Sequence, residues 1–300
     1  MFSPTDRWRV LVVADTRLPV ANAPAEADAL GHGCGGAGGG APSLEEATYS
    51  PDDWGEGHGQ ARVTVYPDAG EAVVSVMRGQ RKVDRSGKGH VAVNPERCKR
   101  EATKRAQRQL RRFCKSHGLF FMWTLTYGNG GQRDVVKLRR QIERLVEKLV
   151  AARGGKVFPY AYVVEFHKDG ERLHVHMAVP FFFDQRRLSV LWGHGYVWCT
   201  DKRKRGECAH VGAQRAASYL AKYVGKTFEH SEFGRHRYEV AKGWKVSSYQ
   251  VRRRDLDDGQ RYAEAVFMGA PEYVWDSKHC DDWAGPAVRV LFFAPRARDG

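Results

Sequence analysis

Three hundred residues, 42% of them hydrophobic, suffice for one large domain or two small ones with a proper core. Lysine and arginine outnumber aspartate and glutamate by 49 to 35, and the resulting net charge of +14 favours polyanionic partners, nucleic acid first and an anionic membrane surface second. No stretch approaches the roughly 20 apolar residues that span a bilayer, Val10 to Ala14 is too short for a secretory core, and six scattered cysteines with no Cys-x-x-Cys pair argue against a disulfide scaffold or zinc ribbon.

In chain order, residues 1–60 are expected to form a flexible or partly ordered N-terminal segment, because Gly, Ala, Pro and acids dominate from about 18 onward and Gly31 to Gly40 is nearly structureless in composition. Arg62 to Tyr66 and Glu71 to Val76 alternate around Pro67-Asp68-Ala69-Gly70, which predicts an ancillary hairpin. A helix follows, with Asn94 as its cap, Pro95 in the first position, Glu96 at the positive end of the dipole and Gly118 as the stop. It carries Arg97, Lys99, Arg100, Lys104, Arg105, Arg108, Arg111, Arg112 and Lys115, a density of positive charge suited to tracking phosphates.

Phe120 to Tyr127 reads as a strand from its aromatic and β-branched content. Asp134 then caps a helix whose Leu138, Ile142, Leu145 and Leu149 form one stripe opposite Lys137, Arg140, Arg144 and Lys148, with Gly154-Gly155 ending it. The hairpin at 163–176 is the most informative segment. Asp169-Gly170 supplies the positive φ values of a two-residue turn, which pairs Phe166 with Leu173 and Glu165 with His174. Side chains alternate along a strand, so Glu165, His174 and His176 converge on one face while Leu173, Val175, Met177 and Val179 turn to the other. Two imidazoles and a carboxylate can hold a divalent ion and leave positions open for a phosphate oxygen. Mg²⁺ or Mn²⁺ is the natural choice for chemistry on DNA. His167, on the same predicted face, could replace the glutamate or sit behind the ligands.

A short helix at Gln185 to Trp192, a strand at Tyr196 to Thr200, a basic loop at Lys202 to Arg205 and a helix from about Gly212 to Val224 complete a β-α-β-β-α-β-α order. That order predicts an α+β fold, an antiparallel sheet with helices packed against one face. On the last helix Tyr219 and Tyr223 lie one turn apart, each followed three residues later by a lysine, Lys222 and Lys226. They are candidate phenolic nucleophiles with cations placed to stabilise phenolate or phosphate charge. Gly225-Lys226-Thr227 is not a P-loop, since Leu220 stands where glycine is required. Cys199, Cys208 and His210 are too loosely spaced to support zinc.

Three segments, Phe121-Met122-Trp123-Thr124-Leu125-Thr126-Tyr127, Leu173-His174-Val175-His176-Met177 and Tyr219-Leu220-Ala221-Lys222-Tyr223-Val224-Gly225-Lys226, resemble the three ordered motifs of HUH endonucleases. The chain is most similar in this respect to rolling-circle replication initiators of bacterial, especially actinobacterial, plasmids, phages and integrative elements. The resemblance covers roughly residues 95 to 240. It implies a five-stranded antiparallel sheet with His-x-His on a central strand, a metal held by His174, His176 and Glu165, and DNA nicking by tyrosine. It makes Tyr223 the first-choice nucleophile and Tyr219 the second tyrosine of a phage-type initiator, with Lys222 and Lys226 beside them.

The expected layout is therefore an endonuclease domain over 61–240, including the ancillary strands and the basic helix, followed by a C-terminal extension over 241–300 of unassigned role. The expected substrate is single-stranded or hairpin origin DNA, in the bacterial cytoplasm and away from any membrane, with unwinding and synthesis left to a host helicase and polymerase. A relaxase or transposase with the same chemistry, and a non-catalytic DNA-binding regulator, are the alternatives. An RNA-binding module ranks low, because the Phe121 to Tyr127 strand lacks the aromatic stacking signature of such sheets.

Overall fold

A computed structural model describes residues 60–77, 95–128, 130–167, 171–229, 238–281, 283 and 285–294. The chain divides into two units, Met1–Asp53 and Trp54–Gly300, and every described residue lies in the second. The expected N-terminal segment therefore lies outside the described residues apart from Gln60, as do the Asn94 cap and the Asp169-Gly170 turn.

Ten strands and five helices follow in the order β1 (Ala61–Tyr66), β2 (Glu71–Val76), α1 (Pro95–Ser116), β3 (Phe121–Leu125), α2 (Val135–Ala152), β4 (Ala161–Phe166), β5 (Leu173–Val179), α3 (Gln185–Trp192), β6 (Val197–Asp201), α4 (Ala209–Glu229), β7 (Tyr238–Val240), β8 (Tyr249–Arg253), α5 (Leu256–Phe267), β9 (Tyr273–Asp276) and β10 (Val288–Phe292) among the described residues. They build two antiparallel five-stranded sheets, ordered β6-β3-β5-β4-β7 and β8-β1-β2-β10-β9. The α+β class is as expected, and His174 and His176 sit on β5, the middle strand of the first sheet.

Helices cover both faces of that sheet rather than one. On one side the predicted stripe of α2 and the Leu188 and Trp192 side chains of α3 bury Phe121, Trp123, Leu125, Tyr162, Val164, Leu173, Val175, Met177 and Val179. Each large aliphatic side chain in this cluster contributes roughly 1.5–3 kcal/mol by leaving water. On the other side α1 and α4 lie over Met122, Ala161, Val163 and Ala178, with Leu110, Phe113, Leu220 and Val224 from the helices. The second face escapes an alternation argument because its inward residues are small and mixed with polar ones. Asp134 caps α2 as expected, accepting bonds from the Val136 and Lys137 amides at 2.8 and 3.2 Å. Helix α4 is longer than predicted at both ends. Gly212 lies inside it, where a Cβ would stand 2.8 Å from Phe120 Cβ, so this glycine permits close packing and does not start the helix.

The second sheet joins the 61–76 hairpin to strands from beyond residue 241, pairing β1 with β8 and β2 with β10. Helix α5 lies on it so closely that a Cβ on Gly259 would come within 2.4 Å of Val74 Cγ1. Helix α1 is shared by the two sheets. Its apolar face belongs to the first, while Arg111 and Arg112 reach Glu71 of β2 at 2.9 and 2.6 Å. Arg112 also lies 3.9 Å over the Tyr66 ring, and Arg111 lies 4.9 Å over Phe292. The expectation that this helix tracks phosphates along its basic face is thus corrected at Arg111, Arg112 and the buried Lys115, which turn inward. Arg100, Lys104 and Arg105 remain exposed.

Glu71 is fully buried, so removing its carboxylate leaves two guanidinium groups without their anion. Glu71→Ala is expected to cost about 3–5 kcal/mol of unfolding free energy in urea titration. A loss below about 1 kcal/mol, the worth of an exposed pair, would show that solvent replaces the carboxylate without strain.

Candidate active site

The hairpin register read from the sequence is the one found: β4 pairs with β5 so that Glu165 opposes His174, Val163 opposes His176 and Phe166 opposes Leu173. Alternation then places Glu165, His174 and His176 on the α1/α4 face of the sheet. The Nε2 atoms of His174 and His176 lie 2.7 and 2.9 Å from the same oxygen, Glu165 Oε2. One ligand atom from each of the three residues falls within 4.8 Å of the others, and among the described residues this is the one cluster of its kind. His167 stays outside that cluster at the exposed strand end, its ring 6.1 Å from that of His174. Cys199 and Cys208 are free thiols in no such cluster.

The donor set fits a metal ion. His176 is 3% exposed, and burial pushes its pKa down to about 4, so its imidazole is neutral at pH 7 with a lone pair to give. Its Nδ1 is 3.1 Å from Thr124 Oγ1 on β3, directly across the sheet, which fixes the ring and leaves Nε2 facing the carboxylate. Sequence reasoning does not single out Thr124 as a site residue. The available signal is parity, since Met122, Thr124 and Thr126 alternate with the core residues Phe121, Trp123 and Leu125.

Helix α4 crosses this face and delivers both tyrosines. The Tyr223 ring stacks on the His176 ring with centroids 4.1 Å apart, and Tyr219 meets the same ring edge-on at 5.5 Å. Tyr223 Oη donates to Tyr219 Oη at 2.8 Å. Burial, the bond to Tyr219 and the nearby Glu165 hold the Tyr223 phenol well above the ordinary phenolic range. The cation next to Tyr219 is Lys202, whose Nζ lies 4.3 Å over its ring and whose pKa is lowered by burial. Lys202 follows β6, and its carbonyl accepts a bond from Arg215 of α4 at 3.0 Å, while Arg215 is also ion-paired with Glu207. In the sequence Lys202 stands out only as part of a basic loop. Lys222 is exposed on α4, and Lys226 lies near its end with a side chain outside the described set.

Fold and site together define an α+β protein with a carboxylate and two imidazoles gathered beside a pair of phenols, a cluster that could bind a metal ion. Residues 120–228 match the family model for the replication-associated protein ORF2, and this similarity supports a replication initiator. The matched stretch runs from β3 to α4 and contains Thr124, Glu165, His174, His176, Lys202, Tyr219 and Tyr223. The second sheet lies outside it. No curated protein and no solved structure matches the chain. Among the described residues no helix is long and apolar enough to cross a membrane.

Proposed function

We propose that this chain nicks and rejoins single-stranded origin DNA by tyrosine transesterification, to initiate and terminate rolling-circle replication. The observation that carries the reading is the stacking of the Tyr223 ring on the His176 imidazole, with Tyr219 hydrogen-bonded alongside. It brings two phenols to a candidate metal centre on one rigid helix. The match to a replication-associated family over the same residues supports it.

His174, His176 and Glu165 would hold Mg²⁺ or Mn²⁺, which supplies Lewis-acid polarisation of the scissile phosphate. The remaining work falls to the protein. Thr124 orients one imidazole, and Lys202 lowers the cost of negative charge on Tyr219. A phenolate oxygen attacks phosphorus, the bond to the 3′ oxygen breaks, and that oxygen takes up a proton. The products are a 5′-phosphotyrosine and a free 3′-OH that primes synthesis. Exchange of one phosphodiester for another is nearly isoenergetic, so rejoining needs no ATP. A second phenol lets the same molecule accept the returning strand. In this scheme Lys222 and Lys226 contact DNA phosphates, and a host helicase and polymerase in the bacterial cytoplasm unwind and copy the template.

Denaturing electrophoresis of the chain mixed with a single-stranded origin oligonucleotide tests the proposal. A covalent protein–DNA band is expected with Mn²⁺ and none with a chelator. Tight DNA binding with no covalent band under either condition would leave the non-catalytic regulator as the correct reading.

A further inference from the structure

Where the C-terminal end of α1 meets the start of α4, a cavity of about 970 Å³ opens, lined among others by Lys115, Ser116, His117, His210 and Trp244. It is separate from the metal cluster: His210 and Tyr219 are nine residues apart on α4, roughly 13 Å of helix. The volume falls within the range of small-molecule sites.

The cavity wall holds polar groups with nothing to bind. Lys115 is 6% exposed, and none of the described residues accepts a hydrogen bond from its Nζ; the oxygens of nearby Glu71 are engaged by Arg111 and Arg112. Its one close neighbour is the Phe292 ring, with Nζ 6.0 Å from the centroid. Burial lowers the pKa of Lys115 to about 8, so the ammonium is still charged at neutral pH and its burial is compensated only by an anion. Beside it, Ser116 Oγ and His117 Nε2 are buried with no hydrogen-bond partner among the described residues. Orphaned atoms of this kind are rare in folded proteins and call for a ligand. Helix α4 starts at the cavity with Ala209 and has no acidic residue in its first turn, so its positive end is uncompensated. The one carboxylate lining the cavity, Asp68, is exposed at the rim. Trp244, 37% exposed, meets His117 edge-on at 5.5 Å and presents a flat apolar surface next to these groups.

We propose that this cavity binds a nucleotide, with the phosphate on Lys115 and the start of α4, the base against Trp244, and Ser116 and His117 bonding to the sugar or base edge. A free nucleotide and one nucleotide of a DNA strand offer the same chemistry. Only the strand source rests on the DNA-processing reading above.

The test is calorimetric titration of the full chain in metal-free buffer with dAMP, with inorganic phosphate and with a short single-stranded oligonucleotide, repeated on Lys115→Met and Trp244→Ser. Binding of dAMP that each substitution weakens by about tenfold supports a free nucleotide. The same losses on the oligonucleotide, with no binding of dAMP, support a strand. Affinities for dAMP and oligonucleotide that neither substitution changes overturn the proposal. So does phosphate binding as tightly as dAMP with Trp244→Ser silent, which would be an anion site alone. Trp244 is a surface residue, so its variant decides the matter even if Lys115→Met fails to fold. Covalent adduct formation is measured separately, and its failure would leave this outcome untouched.

Discussion

Replacing Tyr219 and Tyr223 together with phenylalanine should abolish the covalent protein–DNA band while leaving the fold intact. Phenylalanine keeps both ring contacts with His176 and removes only the two hydroxyls, which face each other at 2.8 Å. No other described tyrosine lies in this cluster, so nothing nearby can substitute as nucleophile. The single variants rank the two phenols. Sequence resemblance makes Tyr223 the first nucleophile. The structure gives Tyr223 a phenol that holds its proton tightly, and makes Tyr219 the acceptor of that proton beneath the Lys202 ammonium. The loss on Tyr219→Phe in the first cleavage is therefore expected to be at least as large as that on Tyr223→Phe. A double variant that still forms the adduct would remove tyrosine from the chemistry altogether.

Loss of an imidazole should be nearly as severe. His174→Ala and His176→Ala each delete one of three donors gathered within 4.8 Å, and a three-donor site keeps little affinity for a divalent ion when one is gone. The Lewis-acid contribution is several kcal/mol, so the rate of adduct formation should fall on the order of a thousandfold in each variant. Mn²⁺ affinity, followed by direct titration, should fall with it. Rates that stay within about tenfold of wild type in both variants, the size of an outer-shell effect, would mean that the cluster is not the cleavage centre.

What can be read in the sequence depends on how local the physical signal is. The register of Glu165 against His174 follows from a turn dipeptide and strict alternation, both contained in 14 consecutive residues at 163–176. The α2 stripe and its Asp134 cap are equally local, and α3 has the predicted bounds, Gln185–Trp192. The second sheet is not legible as a unit. Its strands β8, β9 and β10 are short and largely exposed or half-buried, and each finds its partner only in three dimensions, as Val63 does in Val251 across most of the chain. The inward turn of Arg111 and Arg112 is hidden for the same reason, because their carboxylate lies 40 and 41 residues away. At the site, the residues that converge by parity are visible, whereas Lys202 reaches Tyr219 only because a loop and a helix meet.

Helix α1 contributes apolar side chains to the core beneath the tyrosine-bearing α4 and arginines to the buried carboxylate of β2. One rod thus serves as a common wall for both sheets. Melting either sheet strips this helix of half its packing, so the two layers should lose structure as a single cooperative transition. The scaffold outside the family-matched stretch therefore governs how long the proposed reaction centre stays assembled, although it supplies none of that centre's side chains.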